Sequence, residues 1–167
     1  MFLLRAVPVV VEVGYRDPKT VAAEIGWLHR RHGINFVDLA DENPTSSKRL
    51  WCEFLQALVD EDVPVRLFAT IRATDIVRDG DLLPLMKRAG MICVLMGIET
   101  TDPATLVSIR KGSTTKDDQR AVALLREHGI LSMLGHIVRH GFCHSTSSGK
   151  RRQAAFSYIK AARATLP

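Results

Sequence analysis

The sequence predicts an α/β protein: a parallel sheet with alternating helices. Three observations carry that expectation. Short apolar runs rich in strand-forming residues recur at 35–39, 65–70, 91–96 and 130–138. Between them lie stretches whose apolar residues repeat every three to four positions, the spacing of a helix with one buried face. Glycines at 33, 90 and 129 close helices just before the next strand begins. Apolar strands that alternate with amphipathic helices belong to a parallel sheet covered by helices, either an open sheet or part of a βα barrel.

Each element has a local reason. Asp17 caps a first helix with Pro18 at its first position; Val21, Ile25 and Leu28 follow at helical spacing, and His32-Gly33 stops it. Residues 35–39 follow as a strand expected to be buried, because Phe36, Val37 and Leu39 are apolar. Ser46 or Ser47 can cap the second helix, whose stripe is Leu50, Trp51, Phe54, Leu55 and Leu58 and which ends before Pro64. The strand at 65–70 closes on Ile71-Arg72-Ala73-Thr74-Asp75. A third helix, led by Asp79 and carrying Leu82, Leu83 and Met86, stops at Ala89-Gly90. The strand at 91–96 ends on Gly97-Ile98-Glu99-Thr100. Asp102-Pro103 opens a short helix, Lys111-Gly112 sits in a polar loop, and a long helix carries Ala121, Leu124 and Leu125 to His128-Gly129.

Composition limits the function classes. With 46% hydrophobic and 25% charged residues, this is a globular chain of one domain's length, and no apolar run reaches a membrane span. The apolar start has almost no basic n-region and no small-residue cleavage site, so no signal peptide is expected and the cytoplasm is the default location. The net charge of +5 is unevenly placed. Residues 1–127 hold 17 Lys and Arg against all 18 Asp and Glu, whereas residues 128–167 hold 6 basic residues and no acid. The basicity belongs to the tail, so no nucleic-acid partner is expected for the globular part. Cys52, Cys93 and Cys143 are far apart and in no metal-ligand spacing; Cys52 and Cys93 read as small core residues. His136, His140 and His144 are four apart, but Gly135 and Gly141 interrupt any helix that would stack them, and no zinc site is expected. There is no GxGxxG, no P-loop and no nucleophile elbow.

Polar groups gather where strands end. Asp41-Glu42-Asn43-Pro44-Thr45 follows the first strand, Thr70 and Arg72 the second, and Gly97 and Glu99 the third. If the strands are parallel neighbours, these groups share one rim, where ligands of such sheets bind. Carboxylates there can receive an amino group and sugar hydroxyls, and a glycine lets a ligand's edge approach the backbone. An adenosine-type or amino-acid-type ligand suits that rim. Two structural readings compete: Asp41 and Glu42 as caps of the next helix, and Arg72 in an ion pair with Asp75 or Glu99.

A longer pattern then emerges. Tyr15-Arg16-Asp17-Pro18-Lys19, the strand and loop at 36–45, Thr70-Ile71-Arg72-Ala73-Thr74-Asp75-Ile76-Val77-Arg78-Asp79, Leu82-Leu83, Ala89-Gly90, Gly97-Ile98-Glu99, Lys111 and Leu124-Leu125-Arg126-Glu127-His128-Gly129-Ile130 occur in order. Together they resemble the radical S-adenosylmethionine domain of the anaerobic magnesium-protoporphyrin IX monomethyl ester cyclase family, a family of cobalamin-binding radical enzymes. The resemblance covers residues 15–138 and implies an incomplete radical-SAM-type (β/α) partial barrel. It also implies, for the whole family protein, S-adenosylmethionine, a [4Fe-4S] cluster, cobalamin and a porphyrin-type substrate oxidised toward bacteriochlorophyll. It puts Asp41, Glu42, Asn43, Pro44 and Thr45 on the loop that meets the cofactor's amino group. Gly97 and Glu99 take the turn near its ribose and carboxylate, and Arg72 lies between them on the rim. Lys111 matches a recurrent lysine without an assigned role.

The departures matter as much. The family's CxxxCxxC motif precedes the Tyr-Arg-x-x-Asp-Pro segment, and this chain has no cysteine before Cys52. Three thiolates are needed to hold a cluster with one open iron, so none is expected to bind these residues alone. Residues 1–14 match no family segment, and after Val138 the basic residues 139–167 replace a glycine-containing acidic continuation. That abrupt change fits an altered reading frame; a genuine basic tail is the competing reading. The expectation is a truncated radical domain without activity of its own. A non-catalytic α/β module binding a small ligand or a partner protein is the alternative, and the sheet edges of an incomplete barrel invite self-association.

Overall fold

The computed structural model describes residues 16–41, 43–99 and 114–136. The helix α1 (Pro18–His32) starts where Asp17 Oδ2 accepts hydrogen bonds from the Thr20 backbone N–H and hydroxyl, each 2.8 Å long. It ends at Gly33, whose φ of 69° is the left-handed conformation of a helix stop. The strand β1 (Phe36–Leu39) leads to α2 (Lys48–Asp60), capped by Ser47 rather than Ser46. Trp51, Phe54, Leu55 and Leu58 of α2 are buried, and the Trp51 and Phe54 rings stack with centroids 5.5 Å apart.

The strand β2 (Arg66–Thr70) is followed by a short helix, α3 (Ala73–Arg78), a 3₁₀ turn (Gly80–Leu82) and α4 (Leu83–Arg88). Then come β3 (Met91–Glu99), α5 (Thr115–Glu127) and β4 (Leu131–His136). A capping box opens α5: Asp117 Oδ2 accepts from the Thr114 N–H at 2.9 Å while Thr114 Oγ1 accepts from the Asp117 N–H. The four strands form one sheet in the order β1-β2-β3-β4, every neighbouring pair parallel. Consecutive parallel strands joined by helices are the arrangement of an opened (β/α) barrel segment.

Helices bury one sheet face. Leu67, Ala69, Met91, Val94 and Met96 point to it and are fully buried, packed in one core with Leu55, Leu83 and Leu125 from the helices. The other face carries Phe36, Asp38, Phe68, Cys93, Leu95, Leu131 and Met133, which the register aligns across the strands. Each of these is exposed or half-buried.

Two expectations are corrected. The strand at 35–39 is not buried: Phe36 is 52% exposed and Asp38 is exposed too, because β1 is the outer strand of the described sheet and Phe36 lies on its open face. Three apolar residues in five look the same whether one face or two are covered. The helix led by Asp79 is also more broken than its periodicity indicates. Residues 73–78, of which 73–75 read as part of the polar close of the second strand, already form α3, and Asp79 sits between it and the 3₁₀ turn. The segment opened by Asp102-Pro103, Lys111, and residues 139–167 with His140, His144 and Cys143 lie outside the described residues. His136 falls in β4, as its position in an apolar run requires.

Candidate functional site

Because the strands are parallel neighbours, their C-terminal ends do converge on one rim. The loop after β1 is a tight structure: Asp41 Oδ1 accepts from the Asn43 N–H at 2.8 Å, and the Ser46 N–H donates to the Asn43 carbonyl at 3.1 Å. Asp41 is exposed, and its second carboxylate oxygen has no hydrogen-bond partner among the described residues. An exposed carboxylate of this kind can accept from an ammonium or hydroxyl donor. Asn43 and Pro44 are half-buried, Thr45 is 2% exposed, and Glu42 lies outside the described residues.

Arg72 follows β2 as the residue that precedes α3. Its carbonyl accepts the Asp75 and Ile76 N–H groups while its side chain is exposed. It forms no ion pair with Asp75, which is taken by other partners, so that half of the competing reading is corrected, while the pairing with Glu99 concerns a side chain outside the described residues. Gly97 lies in β3 directly opposite Gly135 of β4, on the open face near the rim. A Cβ added at Gly135 would come 3.7 Å from the Gly97 Cα. The two facing glycines carry no side chain on the open face, and the strand pairing turns irregular just beyond Gly97. Beyond that register shift, Glu99 pairs with His136 at the strand ends.

Sequence reasoning missed the polar cluster behind the rim. Thr45 Oγ1 lies 2.8 Å from Asp75 Oδ2 and 2.9 Å from Asn43 Oδ1. A hydroxyl has one proton, and the carboxylate is the stronger acceptor; with its amide turned over, Asn43 donates to Thr45 in turn. Arg78 donates through Nη1 to Asp75 Oδ1 at 3.2 Å, through Nε and Nη2 to the two Asp79 oxygens at 2.9 and 2.6 Å, and through Nη2 to the Thr45 carbonyl at 2.8 Å. The Asp79 hydrogen bonds hold the guanidinium pKa above its ordinary value. Lys48, 2.7 Å from Asp81 and 3.7 Å from Asp79, extends the cluster to the start of α2. Its pKa is raised by the Asp81 contact, and that of Asp81 is lowered by the same contact. The visible signal was the Asp75–Arg78 spacing, one turn of helix in a stretch read as loop.

The residues present can be tested against the groups such a rim serves. A [4Fe-4S] cluster needs three converging thiolates. The described residues contain no group of three side chains placed to hold a metal. Cys52 and Cys93 sit apart on α2 and β3, and burial pushes the Cys93 thiol pKa up, away from the thiolate. These residues do not fit the cluster. An exposed carboxylate, an exposed guanidinium and a facing glycine pair share the rim.

The fold is that of a radical S-adenosylmethionine domain. The family model "Radical SAM superfamily" matches residues 8–145, and the chain belongs to that superfamily. Within it, the chain is 51% identical over 119 residues to the anaerobic magnesium-protoporphyrin IX monomethyl ester cyclase of Synechocystis sp., a match covering 71% of this chain and 24% of the relative. The cyclase of Rubrivivax gelatinosus is 39% identical over 123 residues, covering 74% and 22%. The chain therefore spans about a quarter of the length of these relatives. Among solved structures, the radical S-adenosylmethionine methyltransferase TsrM from Kitasatospora setae, with cobalamin and a [4Fe-4S] cluster bound, superimposes with a TM-score of 0.73. That match has 24% identity and covers 92% of this chain and 28% of TsrM. The cobalamin-dependent radical enzyme OxsB gives a TM-score of 0.67 at 15% identity, covering 80% and 20%. No described helix is long and apolar enough to cross a membrane.

Proposed function

We propose that this chain supplies the S-adenosylmethionine rim of a radical enzyme of the magnesium-protoporphyrin IX monomethyl ester cyclase type, and that it performs no radical chemistry by itself. The observation that carries the reading is the shared rim, with an exposed carboxylate after β1, an exposed guanidinium after β2 and the Gly97–Gly135 pair between β3 and β4. Asp41, with Glu42 and Asn43, receives the cofactor's ammonium; Arg72 faces its carboxylate; Glu99 takes the ribose hydroxyls beside Gly97. Pro44 and Thr45 shape the loop rather than touch the ligand, since Thr45 is almost fully buried. The substrate class follows the cyclase relatives: a magnesium porphyrin ester, acted on by a protein that includes the cluster cysteines and cobalamin. A cytoplasmic location is part of this proposal.

Two experiments test this. An NMR titration of the purified chain with S-adenosylmethionine is expected to give weak binding, with shifts confined to residues 41–45, 72 and 97–99. Asp41→Ala and Glu99→Ala should each abolish it. Tight binding that survives both substitutions would place the site elsewhere. For the substrate, the 119-residue matched segment would be exchanged into the Synechocystis cyclase, which brings the remaining three-quarters of the protein. Cyclase turnover by the chimera is the expected result. A folded chimera that binds S-adenosylmethionine but leaves the porphyrin ester unchanged would overturn the substrate assignment.

A further inference from the structure

We propose that Thr45, Asp75 and Arg78 form a latch that fixes the rim loop to α3, so that the loop after β1 and the segment carrying Arg72 meet a ligand as one body. The proposal rests on the cofactor reading of the rim. Thr45 is held at two points by residues 30 and 33 positions away in the chain. Its hydroxyl lies 2.8 Å from Asp75 Oδ2, and its carbonyl accepts from Arg78 Nη2 at 2.8 Å. The two carboxylates are nearly out of water, with side chains 11% and 4% exposed for Asp75 and Asp79. Buried carboxylates require compensation, and the Arg78 fork provides it for both.

The arrangement does more than neutralise charge. Arg78 could satisfy Asp79 alone through its two short contacts; the bonds through Asp75 and to the Thr45 carbonyl reach across to a different loop. Neither Asp75 nor Thr45 is exposed enough to touch a ligand, so these are positioning residues. A loop ordered before binding loses less conformational freedom when a ligand arrives, and that difference appears as affinity.

The test uses the 167-residue chain with Thr45→Val, which keeps the shape and removes the hydroxyl, and Thr45→Ser, which keeps the hydroxyl. Two quantities are read: amide hydrogen exchange at Asn43 and Ser46, whose N–H groups close the loop, and S-adenosylmethionine affinity by NMR titration. Thr45→Val should speed exchange at both amides about tenfold and weaken binding about tenfold, while the fold still melts cooperatively. Thr45→Ser should restore both. A folded Thr45→Val with unchanged exchange would overturn the latch, as would Thr45→Ser failing to rescue, since the methyl group would then be what matters. Should Thr45→Val not fold, Arg78→Lys takes its place: it keeps the charge, loses the fork, and must show the same faster exchange. If the unaltered chain gives no binding shifts, the cofactor reading fails, and the exchange measurements alone decide the latch.

Discussion

Among the described residues, the two faces of the sheet are covered very differently. On one, Leu67, Ala69, Val94 and Met96 are completely buried under helices; on the other, Phe36, Leu131 and Met133 are 52%, 69% and 53% exposed. On the inner strands β2 and β3, Phe68, Cys93 and Leu95 alternate with those four residues and lie half-buried on the open side, so strand propensity cannot be what separates the faces; Phe36, Leu131 and Met133 are more exposed because they lie on the outer strands β1 and β4. The helix-covered face holds the fold together through buried apolar area. The open face, with the rim at its end, buries less of its apolar side chains and so is expected to contribute less to stability. A barrel segment of this kind divides its labour by face.

That division can be broken from the covered side first. Leu67→Ala should cost about 3 to 4 kcal/mol in urea unfolding, since a fully buried leucine loses its contacts and leaves a cavity. A loss below about 1 kcal/mol would mean the core is looser than its burial indicates. Gly90→Ala comes next, at about 3 kcal/mol. Gly90 has a φ of 96°, and an added Cβ would collide with the Val65 carbonyl oxygen where the chain turns from α4 into β3. On the open face, Phe36→Ala should change stability by only about 0.5 kcal/mol. A large loss there would show that the face is covered in solution.

The smallest effect is on acidification. Asp17 has its pKa lowered chiefly by the Thr20 side-chain hydrogen bond, and Asp117 by the Thr114 backbone N–H. A lowered folded-state pKa means stability that is present above the unfolded value of 3.8 and lost as pH falls through the folded value. Helicity of the chain should therefore decline slightly below that point. The double variant Asp17→Asn, Asp117→Asn should flatten the decline; an unchanged acid profile would remove the caps from the account.

Features set by neighbouring residues in the chain were legible in the sequence. Asp17-Pro18 and Gly33 bound α1, the apolar stripe of α2 is the buried one, and Gly90 and Gly129 end their helices with positive φ. The ordered strand ends suggested a common rim, and the parallel neighbours provide one. What failed depended on neighbours in space: whether β1 lay inside or at the outer edge, and whether residues 73–78 would coil or turn. The latch was invisible for the same reason, because Thr45 and Asp75 are 30 positions apart and nothing in either segment names the other.

By itself the sequence determined the alternation of helix and strand, the caps and stops, and membership of the radical S-adenosylmethionine superfamily, since these rest on residue type, period and order along the chain. The tertiary structure alone decided which sheet face is covered, that Asp75 serves Thr45 and Arg78 rather than Arg72, and that the described cysteines do not converge. Each of those depends on which distant residues come within hydrogen-bonding or packing distance, and chain order does not encode that separation in any single segment.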